Sequence, residues 1–171
     1  MPATVAPLAI TSSYVFYKLA NSYLTIMLNT TINQFTFIAT VPNNNYFSIG
    51  FGPTMKNTDM ILWQANGKTK SRTSDLWSFD LSTPMNDSSQ NLYSTHVVNA
   101  NGSVTFTTLR NMTTPDSRRD FDFPYGQVVT LCYAALNSAA FNLHNTYGYF
   151  ALKFDHPELN NPSGGISAVT L

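Results

Sequence analysis

Three histidines and one cysteine are the side chains in this sequence best suited to bind a metal or act as a nucleophile. His96 sits in an alternating run, Tyr93-Ser94-Thr95-His96-Val97-Val98, and His156 stands beside Pro157, with no ligand-type partner near either in sequence. Cys132 is single, so no bridge can close within the domain and no thiolate cluster can hold zinc or an iron–sulfur centre. There is no His-Glu-x-x-His, no glycine-rich phosphate loop behind a strand, no Gly-x-Ser-x-Gly and no Cys–His pairing. Hydrolase and nucleotide chemistry therefore lack their working groups. Asp116, Asp120 and Asp122 share one short loop with Arg118 and Arg119. Solvated ion pairs, worth on the order of 1 kcal/mol, are the expectation there rather than paired acid–base catalysis.

Two segments combine apolar strands with donor-bearing loops. In the first, Tyr46-Phe47-Ser48-Ile49-Gly50-Phe51 runs into Gly52-Pro53 and places Met55 in a loop ahead of the next strand. In the second, His144 directly precedes the run Tyr147-Gly148-Tyr149-Phe150-Ala151-Leu152-Lys153-Phe154. Between them, Val104–Leu109 leads into an Arg-x-x-x-Thr-x-Asp pattern, Arg110 to Asp116.

These groups need a scaffold, and the turn-punctuated β runs point to an all-β antiparallel sandwich. The expected strands are Tyr14–Leu19, Tyr23–Leu28, Phe35–Val41, Tyr46–Phe51, Asp59–Gln64, Asp75–Phe79, Tyr93–Val98, Val104–Leu109, Gln127–Tyr133 and Tyr147–Phe154. In the last, Gly148, Phe150, Leu152 and Phe154 share one face and Tyr147, Tyr149, Ala151 and Lys153 the other, the alternation of a half-buried strand. Asn66-Gly67 and Asn101-Gly102 suit tight hairpins. Ala134–Phe141 is the one short helical segment that residue propensity suggests.

At 171 residues the chain has room for one domain. The expected division is a tail over 1–12, a sandwich over 13–156 and a tail over 157–171, both tails being apolar and extended enough to pair with a sheet edge. Nine basic and nine acidic residues, with 11% charged overall, give none of the electrostatic footprint of a nucleic-acid or acidic-membrane binder. Hydrophobic residues at 43% are ample for a core, and no apolar stretch approaches the roughly 20 residues of a membrane span. The proline-interrupted N-terminus lacks the basic flank of an intact signal peptide. Sequons at Asn29, Asn86, Asn101 and Asn111 nevertheless fit a mature, glycosylated protein, secreted or at the cell surface.

The ordered set of segments over roughly residues 14 to 155 resembles the DOMON family, the β-sandwich module also found as the cytochrome domain of cellobiose dehydrogenase. The resemblance implies an immunoglobulin-like sandwich and, in the family's haem-binding branch, axial ligation by a loop methionine and a histidine before the last strand. By position these are Met55 and His144; Met60, at the head of the strand Asp59–Gln64, is the rival, although a core side chain is the plainer reading there. Without a Cys-x-x-Cys-His motif the haem would be a noncovalent b type. It would sit in an apolar slot at one end of the sandwich, near Phe47, Phe51, Trp63, Phe141 and Tyr147. Lys56, Lys70, Arg72 and Arg110 would be available to the propionates. The disulfide common in cytochrome members cannot form with Cys132 alone.

The function so implied is electron transfer without substrate turnover, so the domain is not an enzyme. Its partner would be a redox protein or another copy of itself, in a homo-oligomer or filament joined through the tails. Two alternatives stand beside it: a haem-free module of the same fold binding a sugar or small ligand on Trp63, Tyr46 and Tyr147, and a structural subunit that assembles through its tails.

Overall fold

The computed structural model describes residues 13–116 and 118–154. Eleven strands and one short helix follow in the order β1 (Ser13–Leu19), β2 (Ser22–Asn29), β3 (Gln34–Pro42), β4 (Asn45–Gly50), β5 (Thr58–Ala65), α1 (Gly67–Lys70), β6 (Arg72–Ser78), β7 (Met85–Asn86), β8 (Leu92–Val98), β9 (Ser103–Asn111), β10 (Val129–Leu136) and β11 (Thr146–Leu152). They form two antiparallel sheets, β1-β2-β3-β9-β8 and β11-β10-β4-β5-β6-β7. The expected sandwich is thus present. The tails, including His156 and the edge pairing expected of them, lie outside the described residues.

Alternation of side chains decides what each sheet buries. In β2 and β3, Leu24, Ile26, Leu28, Phe35, Phe37, Ala39 and Val41 turn inward while their neighbours face outward. The six-stranded sheet answers with Phe47, Ile49, Ile61, Trp63, Leu131 and Phe150. Each fully buried side chain of this size contributes on the order of 1.5–3 kcal/mol. Trp63 stacks on Phe47 at 5.7 Å, and its indole N–H crosses to the Thr108 hydroxyl at 2.9 Å, joining the sheets. Tyr17 makes a second crossing, donating to the Ala151 carbonyl at 2.7 Å.

Glycine is required at two close approaches or turns. Gly102 holds φ +77° in the β8–β9 hairpin, where Asn101-Gly102 was expected to turn. At Gly148 a Cβ would stand 2.7 Å from the Tyr133 ring of the paired strand.

Three expectations need correction. The helix anticipated over Ala134–Phe141 is absent: Ala134 to Leu136 end β10, all three paired with β4 and the two alanines also with β11, and 137–140 form bends. Two flanking ladders outweigh the modest helix propensity of alanine. The helix that does form, α1, lies in the β5–β6 connection at the other Asn-Gly pair, Gly67 holding φ +66°. Finally, the acidic loop is not simply solvated, because Asp120 is 8% exposed and accepts from Asn91 and Thr114.

Candidate functional site

Strands β4 and β5 are buried on both faces. Something must therefore cover the outer face of the six-stranded sheet. That face carries Tyr46, Ser48 and Gly50 from β4, Met60 and Leu62 from β5, Leu76 from β6, and Cys132 and Ala134 from β10. Small side chains at Ser48, Gly50, Cys132 and Ala134 leave a trough across the β4–β10 pair; a Cβ at Gly50 would come within 2.8 Å of the Cys132 sulfur. Above the trough lies a cavity of about 670 Å³, walled by Met55 and Thr54, by Leu81–Pro84, by Phe141–His144, and by Tyr147 and Tyr149. Its volume falls in the range of roughly 300–1,000 Å³ usual for small-molecule and cofactor sites.

Met55 and His144 reach this cavity from opposite ends of the floor. The β4–β5 loop leaves at Gly50, which pairs with Cys132, whereas the β10–β11 loop leaves at Leu136, which pairs with Tyr46. Thr58 pins the first loop by donating to the Thr54 carbonyl at 2.6 Å, and the Phe51 N–H closes it onto the Asp59 carbonyl at 2.9 Å. Met55 folds back onto the outer cluster of Tyr46, Met60, Leu62 and Leu76. The second loop is tethered from the floor: the Tyr46 hydroxyl donates to the Asn142 carbonyl and the Gln64 amide to the Ala139 carbonyl, each at 2.7 Å. Phe141 packs edge-on against the Tyr46 ring at 5.6 Å.

The donor set is mostly neutral. Burial pushes the Tyr46 phenol up to about 12, keeping it a hydrogen-bond donor. Burial also raises the Cys132 thiol, so the floor presents a thiol and not a thiolate. His144 lies beside the Tyr147 ring at 5.2 Å, and its Nδ1 is buried without a hydrogen-bond partner. His144 and Met55 line the same cavity, and an imidazole and a thioether are donors of the kind that haem iron takes.

Of the residues expected at the site, Met55, His144, Phe141 and Tyr147 line one cavity, and the rival Met60 joins them in its floor. Phe47, Phe51 and Trp63 do not: they belong to the inter-sheet core, on the opposite face of the same sheet. Neighbours in a strand point to opposite sides, so closeness in sequence to Ser48 or Met60 sends these side chains the wrong way. Burial of Trp63 at 0% exposure also removes one of the stacking surfaces a sugar site would have used. Arg72 donates to the Gln64 side chain at 2.7 Å in a smaller adjoining recess, which shares Pro84 and Phe141 with the cavity. Arg110 is far from any propionate role, buried and paired with Asp59. Lys56 and Lys70 are exposed, the first in the Met55 loop. His96 is exposed and bonded to the Lys68 carbonyl at 2.9 Å.

The floor residues Ser48, Cys132 and Ala134, and the wall segment Leu81–Pro84, were not anticipated. Alternation about Phe47 and Leu131 contained the signal for the floor. Nothing local marks the wall.

A two-sheet antiparallel sandwich with a cavity on its outer face defines the class, and the comparisons define the family. The DOMON domain family model matches residues 19–136, and the chain belongs to that family. Its fold is similar to that of the cytochrome domain of Myriococcum thermophilum cellobiose dehydrogenase, with 12% identity, a TM-score of 0.61 and 86% of each chain covered. It is likewise similar to the cytochrome b domain of pyranose dehydrogenase from Coprinopsis cinerea, with 14% identity, a TM-score of 0.59, and 77% of this chain and 76% of that one covered. No curated protein matches the sequence.

Proposed function

We propose that the domain carries one haem b in the outer-face cavity, held by Met55 and His144, and passes single electrons without turning over a substrate. The observation that carries this reading is the convergence of a thioether and an imidazole, on loops from opposite ends of the β4–β10 pair, at one largely apolar cavity. Haem held by these two residues would supply an iron that gains and loses single electrons.

The protein's own residues set the properties of such a site. The Met55 thioether favours the reduced state relative to a second imidazole and so raises the potential. Tyr46 and Gln64 fix the loop that bears His144, while Phe141 and Tyr147 give the cavity beside it an apolar lining. Arg72, which lines the adjoining recess, would be the cation to meet a propionate. Both solved structures named above are cytochrome domains, which supports this role.

A secreted or cell-surface setting goes with the reading, since all four sequon asparagines, Asn29, Asn86, Asn101 and Asn111, are exposed. Among the described residues no helix is long and apolar enough to cross a membrane. The electron partner is then a second protein or another copy of this one, meeting the rim at Leu143 and Tyr149, which are 85% and 61% exposed. Assembly through the tails is a separate proposal, tested by deleting residues 1–10 and measuring particle mass. Titrating hemin into purified apoprotein tests the function itself: saturation at one equivalent, with sharp Soret and α bands on reduction, is expected. A broad, unsaturating spectrum contradicts it.

A further inference from the structure

On the inward face of the same sheet, away from the cavity, three carboxylates gather. Asp59 of β5, Asp75 of β6 and Asp120 of the β9–β10 connection are 3%, 0% and 8% exposed, and one carboxylate oxygen from each lies within 4.8 Å of the others. Every one of the three has a committed oxygen. Oδ2 of Asp59 accepts the Arg110 guanidinium and the Phe121 N–H, the latter at 2.7 Å. Oδ2 of Asp75 accepts the Asn91 N–H at 3.0 Å, and Oδ2 of Asp120 accepts the Asn91 side-chain amide at 2.5 Å and the Thr114 hydroxyl. The second oxygen, Oδ1 in all three, is buried and has no partner.

Charge and coordination agree on what is missing. Arg110 supplies one positive charge to three carboxylates, and Arg119 is engaged with Asp87 at 3.5 Å. Buried, uncompensated carboxylates are costly, by several kcal/mol per ion. We propose that Asp59, Asp75 and Asp120 bind one divalent cation of the calcium type through their bare oxygens. Calcium takes oxygen ligands at roughly 2.3–2.6 Å, so two ligands of one ion stand up to about 5 Å apart. One carboxylate oxygen from each residue, within 4.8 Å of the others, meets that limit, whereas magnesium at roughly 2.0–2.1 Å would require a tighter set. The ion ties β5 and β6 to the 112–128 connection, where Phe121 stacks on Phe51 at 5.6 Å. It is independent of any ligand in the outer cavity.

The test uses the full chain, freed of metal with a chelator, at pH 8. Calcium chloride at about 100 times its Kd should raise the melting temperature by about 5 °C or more over sodium chloride at equal ionic strength. Terbium should show luminescence excited through Trp77, whose backbone pairs with Asp59, and calcium should compete it away. Asp75→Asn should abolish both responses, and Asp120→Asn should weaken calcium binding at least tenfold. Wild-type terbium and calcium titrations stand on their own if either variant fails to fold. No thermal or luminescence response at millimolar metal, or an equal response in Asp75→Asn, overturns the proposal. Stabilisation by acid without any response to calcium overturns it too, since protons would then neutralise the cluster.

Discussion

The Tyr46 hydroxyl donates to the Asn142 carbonyl at 2.7 Å, so a residue of the cavity floor holds the loop two residues ahead of His144. This bond spans from β4 to the β10–β11 connection and is shielded by the Phe141 ring. Removing it frees the imidazole without touching it. Tyr46→Phe is expected to cost about 1 kcal/mol of stability and to weaken hemin binding several-fold, with the band positions of the complex unchanged. Thermal melts and a hemin titration read the two effects separately.

The Asp59–Arg110 pair is buried on both sides, and Arg110 also lies over the Phe51 ring at 4.7 Å. In metal-free protein, loss of the guanidinium leaves three buried carboxylates with no compensating charge. Arg110→Met should therefore destabilise by about 3–5 kcal/mol in denaturant unfolding. A loss under 1 kcal/mol would mean that the cluster is already neutral.

Burial pushes Asp59 up to about 7 and Asp75 up to about 6, against an ordinary value of 3.8. Because the folded values lie above the unfolded ones, the native state binds more protons across that interval, and its stability falls as pH rises. Metal-free protein should accordingly be more stable near pH 4 than pH 7, with the loss spread between those limits and little change from these groups above pH 8. Denaturant unfolding across the pH series checks the sign; stability rising from pH 4 to 7 would contradict it.

At Gly148 the backbone passes under the Tyr133 ring, so Gly148→Ala should cost about 1–3 kcal/mol through overpacking. Melting of the variant measures this. Neutrality would mean that the Tyr133 ring swings aside.

Turn-punctuated β-rich runs made all ten expected strands legible, with period-two alternation plain in β2, β3 and β9, whereas β4 and β5 are buried throughout and β8 buries no residue. The two-residue β7 is too short to have a period. Ala134 to Leu136 misled because intrinsic propensity favours helix there while pairing with β4 and β11, invisible locally, requires strand. Within the site, Met55 and His144 could be named from family order, whereas Phe141, Tyr147, Phe47, Phe51 and Trp63 follow only from closeness in sequence, which puts the first two in the cavity and the last three on the wrong face. Asp59, Asp75 and Asp120 come from two strands and a distant connection, and only the closed sandwich brings them together.

Haem iron bound in the outer cavity would take the sulfur of Met55 rather than that of Met60. Near-infrared magnetic circular dichroism of the hemin-loaded ferric protein should show a sulfur-to-iron charge-transfer band, absent in Met55→Ala and retained in Met60→Ala. A bis-nitrogen signature in the wild type, or a band that vanishes only in Met60→Ala, would contradict the account.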